Sequence, residues 1–339
     1  MYRLFLLTFL CILSACDKRD PLTKLEGFVQ GTTYHLTYVA PEGIDTAEVQ
    51  RAINEEFARI DLALSNYRDD SAIEKFNAQK HTDPVTVDEE LVKLVEIARE
   101  VNKASAGCYD LTIKPLFDLW GFKADVFTPP SDEALAQTLA SVGMDKLEIL
   151  PGNRLRKLLP ELRIDVSSIG QGYTVARVAD VLESFGVENY LAEIGGELKV
   201  RGKKPDGKPW RIALEKPLPN ERSLHKIISF DDGKPMALMA SGTYRHFFDQ
   251  DGKRYSHILD ARSGKPVEHD TVSVTILHPD PTLADAWSTA LLCMGTEEGL
   301  AAANAASLAV LFIEQKNDEL VEHYSRAWRD IQGVSFPEK

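Results

Sequence analysis

Cysteine is scarce in this 339-residue chain, with residues at 11, 16, 108 and 293 only. Four so widely spread exclude the disulfide framework of a small secreted domain. Long apolar runs are missing too: a membrane-spanning helix takes about 20 apolar residues, and the stretch from Leu4 to Leu13 is far shorter. Positive charge is in deficit, 39 Lys+Arg against 52 Asp+Glu, for a balance of −13. That excludes nucleic acid as a partner. It also means that a phosphorylated ligand would need a local basic pocket, or a metal ion between like charges. Internal repeats, coiled-coil heptads and low-complexity tracts are absent. What remains is 44% hydrophobic, an ordinary globular composition long enough for one large or two ordinary domains.

The apolar stretch has its own meaning. Arg3 precedes it and Leu13-Ser14-Ala15-Cys16 closes it, the pattern of a lipoprotein signal over 1–15 whose removal leaves Cys16 as a lipidated N-terminus. The alternative is an ordinary secretory signal. Asp17 resembles the residue that retains such anchors in the inner membrane, so the body is expected to face the periplasm. Residues 16–25 read as a polar tether and 26–339 as the folded body. Cys108 and Cys293 are then the remaining cysteines, expected as two buried or partly buried thiols, with pairing left open.

Periodicity predicts an α+β fold of mixed or antiparallel sheets with packed helices. Val49, Ile53, Phe57, Ile60 and Leu64 mark one amphipathic helix, and Leu91, Leu94, Val95, Ala98 and Val101 another. Strands are expected around Phe28–Val29 and Tyr34–Val39 with a hairpin at Gly31, then at 146–150 and 162–166. From Tyr190 onward strands dominate, at 190–194, 198–200, 210–214, 226–230, 237–240, 271–277 and 308–313. Pro-Asp-Gly at 205–207 and Asp-Asp-Gly at 231–233 supply turns.

Five segments carry chemistry. Asp285 and Thr289 stand four residues apart on a helix that opens after Pro279 and Pro281, so both oxygens share a face. Leu283, Ala286, Ala290, Leu291 and Met294 provide its packing surface. A carboxylate beside a hydroxyl suits Mg²⁺; the alternative is a solvated Asp and a Thr bonded back to its own helix. Ile164-Asp165-Val166-Ser167-Ser168-Ile169-Gly170-Gln171-Gly172-Tyr173 reads as a strand, a glycine-flanked turn and a helix from Thr174, whose start offers N–H groups to an anion. Gly107-Cys108-Tyr109-Asp110 ends a helix and presents a ring beside a carboxylate, suited to a flat heterocycle or to a cap and a core tyrosine. Ser65-Asn66-Tyr67 places a second aromatic at a helix exit. Arg254-Tyr-Ser-His257-Ile258-Leu-Asp260-Ala-Arg262-Ser-Gly264 gathers a histidine, an aspartate and two arginines in a strand-loop.

Glu193-Ile-Gly-Gly-Glu197, Ser241-Gly-Thr-Tyr-Arg245, Tyr255-Ser-His257-Ile-Leu-Asp260 and Asp285-x-x-x-Thr289 together resemble the ApbE family of FAD:protein FMN transferases, from Gly31-Thr32 to the last strand. The resemblance implies an ApbE-like, tunnelling-fold-like architecture with the nucleotide in a cleft. It also implies Mg²⁺-dependent transfer of FMN from FAD to a Ser or Thr hydroxyl of a partner, with AMP leaving. Tyr67, Cys108, Tyr109 and Asp110 would line the flavin and adenine regions and Asp165 would touch the nucleotide. Gln30, Gln171, Ile258 and Arg245 complete the implied cofactor-binding set. Asp285 and Thr289 would hold the metal, with Ser168 and Ser288. Gln30 stands where the family often has Met, Gln171 replaces a common Lys or Glu, and Ala261 replaces a usual Pro.

His257 is the candidate base for the attacking alcohol, with Asp260 as the rival, and Arg245 or Arg262 faces the departing phosphate. Expected acceptors are flavoprotein subunits of redox-driven ion pumps or related electron-transfer proteins. The competing readings are an FAD pyrophosphatase, a non-catalytic flavin-binding lipoprotein and a structural envelope lipoprotein.

Overall fold

The computed structural model describes residues 22–338 apart from 123–125, 128, 220–222, 245–246, 251 and 318. Eight strands form one antiparallel sheet in the order Thr23–Val29, Thr32–Tyr38, Tyr190–Ile194, Glu197–Arg201, Met236–Gly242, Thr271–His278, Ala309–Lys316 and Glu319–Tyr324. Side chains alternate across it with the two-residue period of a strand. Val310 and Phe312 enter the core on one face while Ala309, Leu311 and Ile313 enter the other. Ala237 and Met239 are likewise separated from Leu238.

The first face is covered by helices Thr46–Leu64, Glu89–Ala104, Ser167–Ser184 and Pro281–Ala305. All ten apolar positions that define the two amphipathic helices in the sequence are buried. Asp45 caps the first of them by accepting the Ala47 N–H at 2.9 Å. The second face is covered by a three-stranded sheet of Trp210–Glu215, Leu224–Phe230 and Val334–Ser335, together with Trp328. A third cluster, built on Ile113, Leu116, Trp120, Phe122, Leu135 and Leu259, stands apart from both. No helix among the described residues is long and apolar enough to cross a membrane.

Several expectations are corrected. Residues 162–166 form no strand, because two asparagines satisfy that backbone instead. Asn77 Oδ1 accepts the Ile164 N–H at 2.8 Å, Asn66 Oδ1 accepts the Val166 N–H at 3.0 Å, and both side-chain amides donate to the Ile164 carbonyl. The helix after it begins at Ser167 rather than Thr174, so Gly170 and Gly172 lie within its first two turns. The polar tether expected over 16–25 is too long, since Thr23 already pairs with Tyr38 in the sheet. The expected signal and lipid-bearing Cys16 fall outside the described residues, as does Arg245.

Cys108 and Cys293 are joined in a disulfide rather than standing as two thiols. The fold brings their Cα atoms to 6.0 Å across 185 residues of sequence, a separation that a disulfide spans.

Candidate active site

Helices Ser167–Ser184 and Pro281–Ala305 cross at Gly172, and the crossing forms the floor of a cavity of about 340 Å³. A Cβ on Gly172 would lie 2.4 Å from the Pro281 carbonyl oxygen and 2.5 Å from Asp285 Cβ, so only glycine allows this approach. The Gly172 N–H reaches Asp285 Oδ2 at 2.7 Å. Asp285 is buried, and no basic side chain pairs with it among the described residues. Burial pushes its pKa up to about 7, against the opposing pull of the Gly172 N–H.

Three hydroxyls cluster in the same part of the molecule. Ser241 Oγ lies 2.7 Å from Ser288 Oγ and 3.2 Å from Thr289 Oγ1. Asp285 and Thr289 both line the cavity, as their spacing predicts. The helix that carries them is buried on almost every side, so its polar face is enclosed by protein rather than turned toward solvent. Ser288 is the correction in this set. Its hydroxyl is fully buried, donates to the Asp285 carbonyl at 2.8 Å and stays behind the cavity wall.

The walls bring together Tyr67, Cys108, Tyr109, Asp110, Asp165, Ser168, Gln171, His257 and Ile258. Tyr67 is 79% exposed, which makes it a rim residue. Tyr109 is buried, and the Ser168 hydroxyl donates to its phenol oxygen at 3.2 Å. Burial raises the Tyr109 pKa, and the charges of Asp285, Asp110 and Asp165 add to the rise, so the ring is a neutral phenol. Asp110 touches the cavity, but protein groups occupy its oxygens. Oδ1 accepts the Thr112 N–H and hydroxyl at 2.7 and 2.6 Å, and Oδ2 accepts the Met144 N–H at 2.9 Å. These bonds fix the turn on which Asp110 and Tyr109 meet the cavity.

Other expected residues lie elsewhere. Gln30 occupies a hairpin tip with φ 50° and sits 3.2 Å from the Thr174 hydroxyl, outside the cavity wall. Arg262 is held by Asp260 at 2.8 Å and by Glu298 at 3.2 Å, and Arg254 by Asp249 at 3.1 Å. Neither arginine lines the cavity, so Arg262 is not placed to meet a departing phosphate. The Arg262 pair also engages Asp260, which weakens it as a rival base to His257.

Sequence reading missed Lys114, Phe117, Asp118 and Phe122, which complete the wall. Lys114 is buried, with Nζ 3.5 Å from Glu74 Oε1. The short helix Lys114–Trp120 carries too few residues to reveal a face by periodicity, although Trp120 and Phe122 beside Gly121 are a legible aromatic cluster. Among the described lining residues Lys114 is the one lysine or arginine, against Asp110, Asp118, Asp165, Glu197 and Asp285. An anionic ligand entering such a cavity requires a cation beside it. A buried carboxylate with adjacent hydroxyls is the donor set for a hard, oxygen-seeking ion.

The model of the ApbE family matches residues 30–312. A Vibrio cholerae protein named FAD:protein FMN transferase is 39% identical over 326 residues, covering 95% of this chain and 96% of that one. The Escherichia coli K12 protein of the same name is 32% identical over 320 residues, covering 93% and 89%. Among solved structures, the apo flavinyl transferase ApbE of Pseudomonas stutzeri aligns with a TM-score of 0.84 at 36% identity, covering 92% of this chain and 97% of that one.

Proposed function

The chain belongs to the ApbE family, and from that premise we propose that it is an FAD:protein FMN transferase acting in the cavity above Asp285. The observation that carries this reading is the buried Asp285 carboxylate, without a basic partner among the described residues, in an acid-rich cavity that the Ser241 and Thr289 hydroxyls also line. Asp285 and Thr289 would hold Mg²⁺, with Ser168 and Ser241 close by. When bound, such an ion supplies neutralisation of the diphosphate charge.

The acceptor's Ser or Thr oxygen attacks the FMN-side phosphorus of FAD. The bond from that phosphorus to the bridging oxygen breaks, and AMP leaves with the oxygen. His257, on the cavity wall, takes the alcohol proton. Tyr109 offers a neutral, buried ring edge fixed by Ser168, and Tyr67 closes the rim over a flat heterocycle. Positioning and charge neutralisation supply most of the acceleration in phosphoryl transfer.

The setting is part of the same proposal. A lipidated Cys16 would tether the body to the inner membrane, facing the periplasm, within reach of flavoprotein subunits of redox-driven ion pumps. The Cys108–Cys293 disulfide supports an oxidising compartment. The test is to mix the protein with FAD, Mg²⁺ and a periplasmic flavoprotein and to weigh the acceptor by mass spectrometry. A gain equal to FMN less one water is expected. Rapid release of FMN and AMP from FAD alone would instead favour a pyrophosphatase, and unchanged acceptor mass with intact FAD a carrier.

A further inference from the structure

We propose that the Cys108–Cys293 disulfide is the positioning clamp of the transfer site, holding the helix that carries Asp285 and Thr289 in register with the Tyr109 wall. This rests on the reading of the cavity as the FAD site. Cys293 follows Thr289 by four residues and Asp285 by eight, so the three share one helical face, and all three line the cavity. Two residues beyond Cys293 the helix is interrupted at Gly295, with φ 75° and ψ 179°. A Cβ there would meet the His269 ring at 2.8 Å. The functional half of the helix therefore ends at a kink six residues past Thr289, so the second half is not a straight continuation that would hold it.

The disulfide braces that end. Cys108 immediately precedes Tyr109 and Asp110, after a turn in which Ala106 and Gly107 both have positive φ. Its carbonyl accepts the Ala261 N–H at 3.2 Å, and Cys293 Sγ lies 3.8 Å from the Leu259 carbonyl oxygen. One covalent bond thus gathers three walls: the turn bearing Tyr109, the helix bearing Asp285 and Thr289, and the loop bearing His257. Both cysteines are buried, 1% and 4% exposed, and both face the cavity. A reductant reaches the bond through the space that FAD would fill.

The test uses the full chain. Alkylation and peptide mapping without reduction should recover residues 108 and 293 as one linked pair. Cys108→Ala/Cys293→Ala, assayed where circular dichroism shows it folded, should raise KM for FAD and lower kcat, each by about tenfold, because sub-ångström placement of reacting groups is lost. Trp328→Ala, which loosens the opposite face of the sheet, should leave both constants unchanged. Bound FAD should slow reduction of the bond by a phosphine, which is itself oxidised as two thiols form. A folded double variant with wild-type KM and kcat overturns the proposal, as do unlinked thiols in protein recovered from an oxidising compartment. Should the double variant not fold, phosphine-reduced wild type with unchanged circular dichroism is measured instead, with the same two outcomes. Wild-type transfer by Asp285→Asn would fault the reading of the cavity itself, independently of the cysteine result.

Discussion

The two faces of the eight-stranded sheet share their strands but differ in what covers them. On the helix-covered face Gly172 lets two helices meet, and the meeting point holds a buried carboxylate and a group of hydroxyls. On the other face Leu198, Leu238, Leu311, Trp210 and Trp328 pack as an apolar layer. The difference teaches where this architecture can place chemistry. A sheet against a sheet presents alternate side chains at a fixed spacing, whereas two crossing helices at a glycine bring backbone N–H and carboxylate together in a buried site.

Breaking the polar floor should have the largest effect. Asp285→Asn keeps an oxygen for the Gly172 N–H but removes the charge, and should cut the rate of flavin transfer by about 10²–10³-fold. In-gel flavin fluorescence of the acceptor measures this directly. Trp328→Ala, on the face without chemistry, should cost about 3 kcal/mol of stability in urea unfolding with KM for FAD unchanged. Gly172→Ala forces a methyl group against Pro281 and Asp285, and should cost about 2 kcal/mol while also slowing transfer, unlike the tryptophan change.

A pH profile gives the smallest and sharpest contrast. In cation-free protein the folded-state pKa of Asp285, about 7, exceeds its ordinary value of 3.8. Between these values the folded chain keeps a proton that the unfolded chain has released. This group therefore lowers stability progressively as pH rises from about 4 to about 7, with no further change above. Urea midpoints across that window should show the decline in wild type and lack that component in Asp285→Asn.

Much of this was legible in the chain. Period-2 and period-3.6 patterns located the main sheet strands from Tyr190 onward, apart from the edge strand Glu319–Tyr324, and the two long amphipathic helices, because each buries one face. The Asp285/Thr289 spacing pointed to a shared face, and the helix does present it to the cavity. Other features depended on partners distant in sequence. Residues 162–166 look like a strand by composition, but Asn66 and Asn77 take their hydrogen bonds. Gly170 and Gly172 look like a turn, yet both lie in a helix, where Gly172 admits the approach of Pro281 and Asp285. The pairing of Cys108 with Cys293 needed the fold to bring them together, and Ser288 differs from Thr289 only in which side of the wall its hydroxyl occupies.

The most direct measurement is a crystal grown with FAD and Mn²⁺ in place of Mg²⁺, with the ion located by its anomalous scattering. The expected result is an ion bound by Asp285 and Thr289 oxygens and touching the FAD diphosphate. An ion, or an FAD, found away from these two side chains would contradict the account.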